Sequence, residues 1–294
     1  MEHTVRVDGH YELWAEDIGA SDTSAVLLVM GANASAMGWP EAFVGRLAAR
    51  HRVIRYDHRD TGRSTRAFAE HPYALRDLAQ DAVTVLDALD IDRAHVVGMS
   101  MGGTLAQLLL LDHPDRLLSA TLFATSALGA GLTDPTGVGQ PELPGPDPRL
   151  LQLWSHLADP RSPEEELEWR VEHWRILHGN AMPFDPDEFR RLEERAAAHA
   201  GTMTNPAAHA LADQSGLDRG GELAGVTAPV LVVEAPEDPV NPPPHAQHLA
   251  AAIGSARLCA VPGLGHALPD AALNPLADVI LEHIAAADQQ EHAG

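Results

Sequence analysis

Gly98-Met99-Ser100-Met101-Gly102 is the stretch of this chain best suited to covalent chemistry. It follows the short apolar segment 94–97 and opens a run with helical spacing, so Ser100 stands where a strand turns abruptly into a helix. That reversal holds the serine in a strained backbone conformation, and side chains at 98 and 102 would collide with the neighbouring strand and helix. A serine hydroxyl is a feeble nucleophile at neutral pH and needs a base within hydrogen-bond reach. Among 17 histidines the candidate base is His266, in the glycine-flanked loop Pro262-Gly263-Leu264-Gly265-His266 directly after the last strand segment. The imidazole needs an acid to fix its tautomer and stabilise its charged form. Asp238 is favoured because it precedes Pro239, which pushes it into extended geometry just after the strand at 230–234. Glu237 competes for the role, and Glu234 is a weaker candidate.

Acyl chemistry also needs donors for an oxyanion. The backbone N–H of Met101, next after the nucleophile, is one candidate, and the N–H of Ala32 in Met30-Gly31-Ala32-Asn33 is the other. Met99, Trp154, Trp174 and Phe184 are candidates for substrate contact. The three tryptophans 154, 169 and 174 can serve either as core or as the wall of a pocket for a large planar apolar ligand.

Other chemistries find no support. The chain has no lysine, hence no Schiff-base nucleophile. It has no H-E-x-x-H and no phosphate-cradling Gly-x-x-x-x-Gly-Lys motif. A single cysteine precludes an internal disulfide and Cys/His zinc spacing. No metal and no organic cofactor is expected. Cys259 lies in the apolar strand segment 257–261 and reads as a small buried hydrophobe.

These residues must be held by a scaffold, and the apolar pattern describes one. Residues 4–16 alternate as strands with a turn at Asp8-Gly9. Ala25–Met30 is a continuous apolar run of the kind buried on both faces of a parallel sheet. Strand segments at 51–56, 94–97 and 117–123 then alternate with helical segments at about 39–49, 73–89 and 101–112. The alternation stops near 127. A Gly/Pro/Asp-rich loop over 129–149 leads into helices only over 150–212. Strands return at 228–233 and 257–261, with helices at about 243–252 and 271–286, and 286–294 reads as a frayed tail. The fold class is therefore α/β: a mostly parallel central sheet with helices on both faces and an inserted helical cap. The domains are a core in two parts, 1–126 and 213–294, around a cap at 127–212.

At 294 residues and 45% hydrophobic, the chain can bury a large core. A formal net charge of −22 makes nucleic acid a poor partner. The opening residues lack the basic and apolar regions expected of a signal peptide, and no apolar run reaches membrane-spanning length. A cytoplasmic protein without membrane attachment is expected, a monomer or small homo-oligomer.

The order of elements and of serine, acid and histidine resembles the α/β-hydrolase superfamily over nearly the whole chain. Asp57-His58-Arg59-Asp60-Thr61-Gly62-Arg63-Ser64 resembles that superfamily's loop after the second parallel strand. More narrowly, Leu28–Asn33, Val53–Ser64, Ala94–Gly102, Trp174–Leu177 with Pro183-Phe184-Asp185, and Pro262–Pro269 are similar to the aclacinomycin methylesterase group of anthracycline-tailoring enzymes. That resemblance implies hydrolysis of the methyl ester of a carbomethoxy group on an aromatic polyketide, in antibiotic biosynthesis. The residues by themselves leave other reactions of a Ser-His-Asp set open, namely general ester, lactone or carbon–carbon bond hydrolysis and cofactor-free perhydrolysis.

Overall fold

In the computed structural model, which describes residues 1–20, 22–130, 143–157, 159–203 and 207–293, eight strands form one sheet. They are β1 (Glu2–Val7), β2 (Tyr11–Ile18), β3 (Ala25–Val29), β4 (Arg52–Tyr56), β5 (Ala94–Met99), β6 (Leu117–Phe123), β7 (Val230–Glu234) and β8 (Arg257–Ala260). Their spatial order is β1-β2-β4-β3-β5-β6-β7-β8. The β1–β2 and β2–β4 pairs are antiparallel and the rest are parallel.

Nine helices accompany them among the described residues: α1 (Glu41–Ala48), α2 (Leu75–Ala88), α3 (Met101–Asp112), α4 (Pro148–Trp154), α5 (Pro163–Leu177), α6 (Pro186–Ala200), α7 (Ala208–Leu211), α8 (His245–Ile253) and α9 (Asp270–Ala293). The continuous apolar runs follow from burial on both sheet faces. Alternate side chains take opposite sides. Leu27, Val29, Val96 and Val232 pack with α2, α3 and α8 on one face. Val26, Leu28, Val97 and Leu231 pack with Phe43 of α1 and with Leu276 and Ile280 of α9 on the other. Each such side chain contributes about 1.5–3 kcal/mol by leaving water.

Helices α4 to α7 lie between β6 and β7 and form the cap. Helix α5 starts at a capping box, where Ser162 and Glu165 satisfy each other's backbone N–H groups, with Pro163 at the first helical position. Helix α6 starts at the Asp185 cap and ends at Gly201, whose φ of 68° is left-handed. Side chains and backbone tie the cap to the core. Arg195 donates to the Met37 carbonyl at 2.7 Å, His199 pairs with Asp57 at 2.7 Å, and the Asp270 N–H donates to Glu188 at 2.7 Å. Asp57 is fully buried and also accepts the N–H groups of Ala36 and Arg63. A side chain at Gly62 would overlap that carboxylate, within 2.1 Å of Oδ2, which explains the glycine of the 57–64 loop.

The tail expected to fray from 286 is helical over its described residues, since α9 continues to Ala293. Its last turns are anchored by Asp288, which accepts from His95 at 3.0 Å and Ser24 at 3.3 Å, and by a Glu291–Arg93 ion pair. Cys259 is half-buried rather than buried, because β8 is the edge strand. Of the loop expected over 129–149, residues 131–142 lie outside the described residues.

Candidate active site

Strand β5 delivers Ser100, which stands at its end with φ 56° and ψ −122° before α3 begins at Met101. A non-glycine residue in that region is strained. The surroundings hold it there: the Ser100 N–H donates to the Phe123 carbonyl of β6 at 3.1 Å. A Cβ on Gly98 would lie 2.3 Å from the Gly102 carbonyl oxygen, and one on Gly102 would lie 2.0 Å from that of Val29. Both glycines are thus demanded by backbone contact between β5, α3 and β3.

The loop after β8 delivers His266 and the loop after β7 delivers Asp238. His266 Nε2 is 2.9 Å from Ser100 Oγ, and its Nδ1 is 2.9 Å from each Asp238 carboxylate oxygen. Asp238 Oδ1 also accepts the N–H groups of Val240 at 2.7 Å and Asn241 at 3.0 Å. Burial pushes the Asp238 pKa up, but the charge and hydrogen bond of His266 and these two N–H groups outweigh it, leaving the carboxyl below its ordinary value. Asp238 is therefore the anion that keeps the proton on His266 Nδ1 and leaves Nε2 free to face the serine. The cap contributes too. The His266 N–H donates to the Leu177 carbonyl of α5 at 2.7 Å, and a Cβ on Gly265 would lie 2.3 Å from the His178 carbonyl oxygen.

Glu237 and Glu234 are occupied elsewhere. Glu237 accepts the Asn180 N–H at 3.2 Å, and Glu234 accepts from Gln247.

The turn after β3 packs against the nucleophile, since a Cβ on Gly31 would sit 3.2 Å from Ser100 Cβ. Among the described residues the N–H groups of Ala32 and Met101 have no acceptor, whereas the Asn33 N–H is taken by His209 Nδ1 at 2.9 Å.

Above Ser100 lies a cavity of about 570 Å³ between core and cap. Met99, Trp154 and Trp174 line it, as do Ala32, Ser100 and His266. Phe184 does not. It stacks on Phe189 at 5.1 Å between ring centroids and lies under the Arg175 guanidinium, facing a different groove on the outside of the cap. Its position just before α6 turns it toward the packing between α5 and α6 rather than toward the cavity.

Trp169, open between core and pocket wall on sequence, also lines the cavity, as do His173, Leu177, Leu192 and Glu193, which sequence reasoning missed. The signal for the first three was their i, i+4, i+8 spacing along α5, which places them on one face. On α6, Ala196, Ala197 and Ala200 face the same space, and their short side chains leave it open.

Several polar groups of the cavity are fixed by hydrogen bonds. The Trp174 indole N–H donates to Glu193 at 2.6 Å, and Arg170 pairs with Glu193 at 2.9 Å. The Trp154 indole N–H donates to His173 Nε2 at 3.0 Å, so the His173 proton resides on Nδ1. Burial, with smaller effects of His266 and Arg170, holds the His173 pKa down at about 4. Ser100, His266 and Ala32 thus line an aromatic-walled space, with Asp238 behind the base and the free Met101 N–H next after the nucleophile. That arrangement can carry out acyl transfer to serine followed by hydrolysis.

Comparisons with known proteins agree with this chemistry. Residues 24–270 match the family model of the α/β hydrolase fold. The chain is 50% identical over 284 residues to rhodomycin D methylesterase DauP of Streptomyces sp. (strain C5), covering 94% of this chain and 95% of that protein. It is 49% identical over the same shares to rhodomycin D methylesterase DnrP of Streptomyces peucetius. A solved hydrolase from Pseudomonas aeruginosa PA01 superposes with a TM-score of 0.73 at 24% identity, covering 96% of this chain and 98% of the other, a likeness of fold.

Proposed function

The chain belongs to the α/β-hydrolase fold family, and on that premise we propose that it is a serine carboxylesterase that cleaves a methyl ester on an aromatic polyketide of the anthracycline type. One observation carries the reading: the 2.9 Å contacts that link Ser100 to His266 and His266 to Asp238, set at the floor of a cavity walled by three indoles. The substrate class rests on the rhodomycin D methylesterases, which match over nearly their whole length. Tryptophans 154, 169 and 174 suit a planar polycycle, because offset or edge-on aromatic contact adds about 0.5–1.5 kcal/mol per pair beyond the area buried.

Ser100 Oγ attacks the ester carbonyl while His266 Nε2 takes its proton. The N–H groups of Ala32 and Met101 hold the tetrahedral oxyanion, each with an effect of about 2.7–4 kcal/mol on the transition state. His266 then protonates the departing methanol, leaving an acyl group on Ser100. A water deprotonated by His266 attacks that group, and collapse returns the carboxylic acid product and free Ser100. Residues 127–212 are taken as the cap that roofs the substrate over the core of 1–126 and 213–294.

The test is mass-spectrometric turnover of an anthracycline methyl ester and of a short p-nitrophenyl ester by the wild type and Ser100→Ala. Loss of one CH₂ unit from the anthracycline, abolished in the variant, supports both reaction and substrate. Turnover of the simple ester alone keeps the reaction and removes the substrate. No Ser100-dependent turnover of either ester removes both.

A further inference from the structure

His209 lies outside the catalytic set, yet it is a buried cap residue bonded to the core beside it. It sits in α7, is 3% exposed, and joins two core loops with its two ring nitrogens. Nδ1 accepts the Asn33 N–H at 2.9 Å, and Nε2 donates to the Arg59 carbonyl at 2.9 Å. Both partners are backbone groups of fixed polarity, so the ring must be neutral with its proton on Nε2. Burial holds its pKa down at about 4, opposed by the Arg59 carbonyl and Asp60.

Asn33 is left-handed, with φ 60°, at the tip of the turn after β3. The peptide carrying its N–H adjoins the peptide carrying the Ala32 N–H, and the two share the Ala32 Cα. Fixing one restrains the direction of the other. From the opposite side, His58 Nε2 donates to the Met30 carbonyl at 3.0 Å. The segment 30–33 is therefore pinned at its start by a core histidine and at its end by a cap histidine.

We propose that His209 is a positioning residue of the oxyanion site, through which a seated cap holds the Ala32 N–H toward the substrate carbonyl. This rests on the reading of Ser100 and Ala32 given above. It follows that an unseated cap leaves the oxyanion site incomplete, so that covering the substrate and completing the catalytic set are one event.

The experiment compares wild type, Ser100→Ala, His209→Leu and His209→Asn on p-nitrophenyl acetate. Rates are taken per active site titrated with a fluorophosphonate, and inhibition constants are measured for a trifluoromethyl ketone whose adduct places an oxyanion in the hole. Leucine removes the acceptor for the Asn33 N–H, whereas asparagine offers an oxygen near the place of Nδ1. Expected for His209→Leu is a fall in kcat of about 10- to 100-fold and a matching rise in the ketone's inhibition constant, with KM within about twofold. His209→Asn should recover most of that loss.

A kcat per titrated site within about twofold of wild type in His209→Leu overturns the proposal, as does a loss confined to the titrated fraction, which marks a structural role alone. Full activity of Ser100→Ala overturns the underlying reading and this proposal with it. An inactive Ser100→Ala beside an unimpaired His209→Leu overturns only the proposal. Independently of any variant, ¹⁵N NMR of the wild type should find His209 neutral and protonated at Nε2 near pH 7. The Nδ1-protonated tautomer would overturn the assignment.

Discussion

Replacing Asp238 by asparagine removes one charge and almost no volume. The orientation of the new amide is dictated by the structure, because Oδ1 receives the N–H groups of Val240 and Asn241 and must remain an oxygen. The amide nitrogen therefore takes the place of Oδ2, 2.9 Å from His266 Nδ1. Oδ1 remains an oxygen 2.9 Å from Nδ1, so the Nδ1–H keeps one acceptor while an amide N–H now lies equally close to it. That N–H competes for a ring nitrogen lone pair and favours the tautomer with its proton on Nε2, which points at Ser100 Oγ and cannot accept the serine proton. The lost charge has its own cost. At about 4 Å between charge centres and an effective dielectric constant of about 20, a carboxylate stabilises the imidazolium by about 4 kcal/mol. At about 1.4 kcal/mol per decade of rate, this is about three decades. With the tautomer penalty, kcat should fall about 10³- to 10⁴-fold. KM should stay within about twofold, because Asp238 does not line the cavity. The assay is steady-state hydrolysis of a p-nitrophenyl ester, with Glu237→Gln as the control. Glu237 faces the Asn180 N–H and not the imidazole, so that variant should keep wild-type kcat. An Asp238→Asn enzyme within tenfold of wild type, or a larger loss in Glu237→Gln, would refute the reasoning.

Further outcomes follow from the same geometry. Gly102→Ala should lower stability by at least about 1–3 kcal/mol and kcat by more than about 100-fold, because its Cβ meets the Val29 carbonyl at the foot of the oxyanion turn. Thermal melting and kcat check this, and an unchanged melting temperature contradicts it. Acid should destabilise the fold early. Burial, the largest cause in each case, holds the pKa of His58 at about 3 and those of His209 and His283 at about 4. All three lie below the unfolded value of about 6.5, so the unfolded chain binds more protons between these limits. The stability these neutral rings contribute is complete above about pH 6.5 and is lost as pH falls toward about 4, with a slope approaching about 1.4 kcal/mol per pH unit for each ring. Urea midpoints that stay flat from pH 7 to 5 would contradict this.

The sheet and the grouping of Ser100, Asp238 and His266 were legible because both are written locally. Each of the three residues follows a strand with an apolar run, Ser100 directly and Asp238 and His266 in the loop after it, and each has glycine or proline within two residues to mark the turn. What could not be read depends on which way an element faces after packing. Phe184 looked like a pocket aromatic but stacks between cap helices, while Trp169 and His173 reach the cavity because α5 turns that face inward. His209 has no sequence signal at all. Its partners are backbone groups 176 and 150 positions away, which only the docked cap brings together. The end of α9 was misread for the same reason: its polar residues look solvated until Asp288 meets His95 and Ser24.

The most direct measurement is labelling with a fluorophosphonate, followed by intact-protein mass and peptide mapping, on the wild type and Ser100→Ala. One adduct per chain, on Ser100, formed in step with loss of ester hydrolysis and absent from the variant, is the expected result. An adduct on another residue that tracks inactivation, or full hydrolytic activity in Ser100→Ala, would contradict the assignment of Ser100 as the nucleophile.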